Sequence, residues 1–219
     1  MTLHSHQWAM VPMTGYSTEF PGTENPLSEG GVWTTGIFSG RTAAQSASGH
    51  AYGTMVGFDG VNYLDSAACL SGFPANHSVE ATLYNNSAPS GLETELLLRV
   101  NLTVSSITAY EIDLYLGGTA VHVVRWNGSG NSFTDSSLGA VTNNVSFANG
   151  AVWSASISGN LINVHCNGAA VVTDLDITTA FGGGLVINSG NPGIGFWNET
   201  ADAGNCPLFA WDNFTAAGL

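Results

Sequence analysis

Asn–Gly and Gly–Asn pairs punctuate the sequence: Asn127-Gly128, Asn149-Gly150, Gly159-Asn160 and Asn167-Gly168, with Gly117-Gly118 playing the same part. A two-residue hairpin turn needs positive φ, which glycine adopts without steric cost and asparagine tolerates. Turns this short can only join antiparallel neighbours, because a parallel pair needs a crossover of about a dozen residues. The runs between the turns alternate with period 2. Val79, Ala81 and Leu83 face one way, and Glu80, Thr82 and Tyr84 the other. Tyr110, Ile112, Leu114 and Leu116 oppose Glu111, Asp113 and Tyr115; Trp153, Ala155 and Ile157 oppose a row of serines. No segment holds a helical period over three turns. The expected fold class is all-β, a two-sheet antiparallel sandwich or barrel.

The 219 residues suit one sandwich domain. Residues 1–20 have no clear period and read as an N-terminal arm or edge strand, and 21–219 as the β-sandwich. The segment from Pro21 to Trp33 is dense in turn formers and leads into the first core strand. Residues 36–60 carry short strands and loops, with one helical turn expected over Thr42–Ala47. Longer strands are expected over Glu93–Thr103, with Leu96, Leu98 and Val100 on one face, over Ala109–Leu116, and over Ala120–Trp126, ending at the Asn127-Gly128 turn.

Charged residues make up 9% of the chain, and the net charge is -13. Its cations are Arg41, Arg99 and Arg125. Polyanion binding needs clustered Lys and Arg, so nucleic acid is excluded as a partner, an anionic membrane surface would repel the chain, and a basic groove for an anionic polysaccharide is hard to build. No apolar run reaches the roughly 18 residues of a membrane span, and Met1–Met13 lacks a signal-peptide pattern. The low charge and abundant Asn, Thr and Ser suit an outward-facing protein, at a virion surface or extracellular. His4 and His6 read as solvated. Three cysteines make no disulfide framework. Cys166 shares parity with Ile162 and Val164 and reads as a small buried hydrophobe, while Cys69 and Cys206 are the pair that oxidation would join.

Several segments, taken in order, resemble one family. "NPLSEGGVW", "YEIDLYLGGTAVHVVRWNG", "LINVHCNGAAVVTDLD", "GNPGIGFW" and "AWDNFTA" are similar to successive pieces of the bacterial and phage concanavalin A-like lectin/glucanase superfamily. The likeness spans residues 20–216 and implies a jelly-roll β-sandwich. It specifies the fold well and activity poorly, because the superfamily holds lectins, hydrolases, lyases and inert modules.

Glu111-Ile112-Asp113-Leu114-Tyr115 resembles the Glu-x-Asp-x-Glu signature of jelly-roll glucanases, in which period 2 projects three carboxylates from one strand face. The resemblance implies Glu111 as nucleophile, but Tyr115 stands where the acid/base belongs, and retaining hydrolysis needs both groups. Glu93 and Glu95 share a strand face and are a second source of an acid. A lyase would draw on Arg99, Arg125, His122 or His165, yet the cations for a basic groove are lacking. Trp33, Trp126, Trp153, Trp197 and Trp211 are mostly core. Trp126, at a hairpin end, and Trp197, before a loop, are the candidate sugar-stacking residues. The resemblance also implies a structural calcium at Asp212 and Asn213, completed by Glu24 or Glu19. The expectation is a non-catalytic, lectin-like surface module, a capsid-decoration or tail-associated virion component whose partners are glycans or other coat and tail subunits. The alternative is a secreted carbohydrate-active enzyme or carbohydrate-binding module.

Overall fold

The computed structural model describes residues 13–35, 42–54, 65–103, 106–129, 137–200 and 202–219. In chain order the strands are β1 (Gly15–Thr18), β2 (Thr34–Thr35), β3 (Thr42–Ala43), β4 (Gln45–Ala47), β5 (His50–Tyr52), β6 (Ser66–Cys69), β7 (His77–Asn85) and β8 (Leu92–Leu102). They continue with β9 (Ser106–Tyr115), β10 (Ala120–Ser129), β11 (Ser137–Thr142), β12 (Val152–Ser158), β13 (Leu161–Cys166), β14 (Ala169–Asp176), β15 (Asn191–Asn198) and β16 (Phe209–Gly218). Sheet I runs β14-β13-β12-β7-β16-β5-β4, with β1 also on β16; sheet II runs β11-β10-β9-β8-β15-β6-β2, with β3 also on β6. Among the described strands β3 and β6 pair in parallel, and the other neighbours are antiparallel.

The alternating patterns place the core. Val79, Ala81 and Leu83, Trp153, Ala155 and Ile157, and Phe214 and Ala216 come from sheet I. Leu96, Leu98, Tyr110, Ile112, Leu114, Val121, Val123, Ile194 and Phe196 meet them from sheet II. The sandwich is therefore a two-sheet jelly roll, and the period-2 partners of these residues point away from the core.

Three expectations are corrected. Thr42–Ala47 forms β3 and β4 rather than a helical turn. The small side chains Ala43 and Ala44 are buried against neighbouring strands, which a solvated turn would leave exposed. Asn127-Gly128 lies inside β10, because β9 extends back to Ser106 and supplies Thr108 and Ile107 as partners; pairing overrides turn propensity there. Val100 does not share a face with Leu96 and Leu98. The register of β8 shifts between Leu98 and Asn101, and Arg99 takes φ 49°. This bulge re-aims Val100 into a second, smaller cluster on the outer face of sheet II, with Ala67, Cys69, Leu97, Ile107, Ala109 and Trp126.

The bulge buries Arg99, which is 3% exposed. Its guanidinium donates to the carbonyls of Ala75 (2.8 Å), Ile187 (3.0 Å) and Gly159 (2.7 Å) and to Asn76 Oδ1 (3.3 Å). The Arg99 backbone N–H donates to His77 Nε2 at 3.2 Å, which makes Nδ1 the donor to the Pro74 carbonyl at 2.8 Å. Both ring nitrogens are thus committed in the neutral tautomer, and burial lowers the His77 pKa to about 4. Gly190, at φ 143°, crosses this bulge; a Cβ there would lie 2.3 Å from the Arg99 carbonyl carbon. Arg125 is likewise structural: it donates to the carbonyls of Gly183 and Leu185 and lies over the Phe181 ring. Arg41, His4 and His6 lie outside the described residues.

The three cysteines are free. Cys166 is half-buried, and burial pushes the Cys69 thiol up to about 12, so it behaves as an inert apolar group.

Candidate functional site

The outward faces of β8 and β9, flanked by β15 and β10, carry acids where a buried face is usually apolar. Register stacks them into rows across sheet II. One row reads Gly195, Glu95, Asp113, His122; the next reads Trp197, Glu93, Tyr115, Ala120; a third reads Gly193, Leu97, Glu111, Val124. Asp65, just before β6, joins the first two rows from the side: carboxylate oxygens of Asp65, Glu93 and Glu95 lie within 4.8 Å of one another. Those of Glu93, Glu111 and Asp113 do the same.

Like charges directly opposite one another on a sheet are unfavourable, and burial deepens the cost. Glu95 is 0% exposed, Asp113 4%, Asp65 4% and Glu111 6%. Glu111 and Asp113 each meet a donor. The Trp126 indole N–H donates to Glu111 Oε2 at 2.5 Å. His122 Nδ1 lies 2.7 Å from Asp113 Oδ2, and this hydrogen bond raises the His122 pKa. Burial holds Glu93 and Glu95 well above the ordinary carboxylate range, reinforced by the surrounding acids. Asp113 is raised to about 6 by burial, against the opposing pull of His122. Both oxygens of Glu95 and Oδ1 of Asp113 have no hydrogen-bond partner.

At the edge of this patch the half-exposed rings of Tyr115 and His122 lie side by side, with centroids 5.9 Å apart and planes tilted by 32°. The exposed Glu199 adds to the negative surroundings of Tyr115. Chemically, the patch can share protons among carboxyls, chelate a hard cation, or offer acceptors beside an apolar ring plane.

Of the sequence candidates, Glu111 and Asp113 sit at the centre of the patch, and Glu93 and Glu95 stand beside them. Trp126 and Trp197 also belong here, but not as exposed platforms: they are 2% and 8% exposed. Trp126 is covered within the outer-face cluster, and its indole is pinned to Glu111. The residues implied for a calcium have other partners in the structure. Glu24 Oε2 accepts from the backbone N–H groups of Ser28 and Glu29; Asp212 lies 2.5 Å from His50 Nδ1; Asn213 Oδ1 accepts from Thr82 N. Asn213 also lines an open groove of about 540 Å³ on the outer face of sheet I, with Glu19, Glu80, Thr82 and Thr215. Asp65 was missed by sequence reasoning, since it lies outside any alternating run. His122 was legible only as a lyase base, because its bond to Asp113 depends on the β9–β10 register.

No family model matches the chain, and no curated protein matches it in sequence. Solved structures match its fold throughout. β-Agarase A from Zobellia galactanivorans is similar with a TM-score of 0.62 at 12% identity, covering 98% of each chain. Bacillus licheniformis β-glucanase gives 0.58 at 13% identity, covering 94% of this chain and 99% of its own. A carbohydrate-binding module from Bacillus subtilis gives 0.55 at 14% identity, covering 87% and 94%. The fold is concanavalin A-like.

Proposed function

We propose that the chain recognises a neutral glycan on the outer face of sheet II and does not cleave it. The observation that carries this reading is the half-exposed Tyr115–His122 ring pair standing beside a patch of carboxylates. Rings offer a sugar an apolar plane, and acceptor oxygens fix its hydroxyls. A net charge of -13 turns polyanions away. The fold's neighbours, a carbohydrate-binding module and glycoside hydrolases, are in keeping with this reading. Binding without cleavage is supported by Glu111, which is buried with one oxygen held by Trp126, and by Tyr115 in the acid/base position of β9. An exterior setting is part of the proposal: a virion decoration or tail-associated component, supported by a low-charge composition rich in Asn, Thr and Ser. Proteomics of purified particles tests that setting.

A second reading is favoured by one distance. Glu93 and Glu111 bring oxygens within 4.8 Å, close to the roughly 5 Å carboxyl separation of retaining glycosidases. In that reading Glu93, whose proton is held above the ordinary carboxylate range by burial, is the acid that β9 lacks, and Glu111 is the nucleophile. A glycan array run beside a polysaccharide-degradation screen separates the two. Binding that falls at least about tenfold in Tyr115→Ala, with no product released, supports recognition. Product release abolished by both Glu111→Gln and Glu93→Gln supports hydrolysis. Binding lost in Thr82→Ala and kept in Tyr115→Ala moves the site to the sheet I groove.

A further inference from the structure

We propose that Asp65, Glu93 and Glu95 hold a divalent cation, calcium by its chemistry, on the outer face of sheet II. Three observations carry the site. First, the three residues bring carboxylate oxygens within 4.8 Å of one another. Oxygens bound to calcium at about 2.3–2.6 Å stand at most about twice that distance apart, so one ion can touch all three. Second, Glu95 is 0% exposed and both its oxygens have no hydrogen-bond partner, although Glu93, Glu111, Asp113 and Asp65 surround it. A buried carboxylate without a donor is unfavourable unless it is paired or bound to a metal. Third, the backbone makes room for this carboxylate. Gly195 lies opposite Glu95, and a Cβ at that position would fall 1.9 Å from Glu95 Oε2.

The chemistry of the ligand set selects the ion. All the groups are hard oxygen donors of high negative charge, which suits calcium. Zinc favours nitrogen and sulfur in a tetrahedron, and the nearby imidazole, His122, is already bonded to Asp113. Magnesium demands a tighter octahedron and parts with its water reluctantly. The second acidic triad, Glu93, Glu111 and Asp113, is the weaker candidate, because Trp126 and His122 already hold oxygens of Glu111 and Asp113. The site is separate from the Asp212–Asn213 position near the chain end, and it stands whether or not a glycan binds.

The test uses the purified chain stripped with chelator, and the probes are calcium, magnesium and terbium ions. Calorimetry is expected to show one tight calcium site and much weaker magnesium binding. Terbium should show emission on excitation at the indole band, because Trp126 and Trp197 lie in the same patch. Glu95→Gln is expected to weaken calcium binding by at least about tenfold, as is Asp65→Asn. Gly195→Ala, which displaces the Glu95 carboxylate, should weaken it as well. Asp212→Asn should leave it unchanged. Absence of stoichiometric calcium binding in the parent chain overturns the proposal. So does binding retained in both Glu95→Gln and Asp65→Asn, or binding lost in Asp212→Asn alone.

Discussion

Two buried polar regions lie on β8 a few residues apart, and they are built on opposite principles. At Arg99 and His77, donors meet acceptors: four guanidinium hydrogen bonds reach three backbone carbonyls and one amide oxygen, and both imidazole nitrogens are used. At Glu93, Glu95 and Asp113, acceptors meet acceptors, and Glu95 has no donor at all. The first region is closed and ties the loops around Ala75, Gly159 and Ile187 to a strand. The second is unfinished without a proton or a cation. A fold keeps the first arrangement for stability; the second costs stability and marks a place where something binds.

The contrast can be broken from either side. Arg99→Ala strips donors from several buried carbonyls, and equilibrium urea unfolding should report a loss of about 3–5 kcal/mol. Trp126→Phe removes the indole N–H that donates to Glu111 Oε2 while keeping most of the ring volume, and should cost about 1–3 kcal/mol in the same assay. Neutralising the acid cluster has the opposite sign. In chelator, at neutral pH, Glu95→Gln should raise stability by about 1–2 kcal/mol, because an amide replaces a buried anion among like charges. A fall in stability there would mean that the cluster is already neutralised from within.

Smaller, and sharper as a comparison, are the pH limbs. His77 has a depressed folded pKa of about 4, so the unfolded chain binds its proton first. Its contribution is present above about 6.5 and is lost as pH falls towards 4. Asp113 is raised to about 6, so the folded chain holds that proton longer. Its contribution is present below about 3.9 and is lost as pH rises through 6. Glu93 and Glu95 act in the same direction as Asp113. The two windows overlap between about pH 4 and 6 with opposite signs, so thermal melts in chelator should show a smaller net slope there than either group alone would give. Glu95→Gln should weaken the falling contribution of the acids and leave the rising contribution of His77; the reverse pattern would assign the titrations wrongly.

Much of this was written in local sequence. Period-2 runs and glycine turns gave two antiparallel sheets, the inner faces of β7, β9 and β12, and the placing of Glu111 and Asp113 on a face away from the core. They did so because strand alternation and positive-φ turns are properties of a few neighbouring residues. The resemblance to concanavalin A-like chains placed these pieces in one sandwich.

What local patterns could not decide was anything that depends on register or on a break in it. One bulge at Arg99 turned Val100 to the other face, strand pairing absorbed Asn127-Gly128, and the outer-face cluster covered Trp126. The same pairing set Glu95 opposite Asp113 and His122 against it, and the approach to β6 brought Asp65 in beside them. A sequence records which side a residue points to, but not which residue it faces, and charge clusters and cation sites are made of facing residues. An unpartnered carboxylate over Gly195 emerged for that reason from strands far apart in sequence.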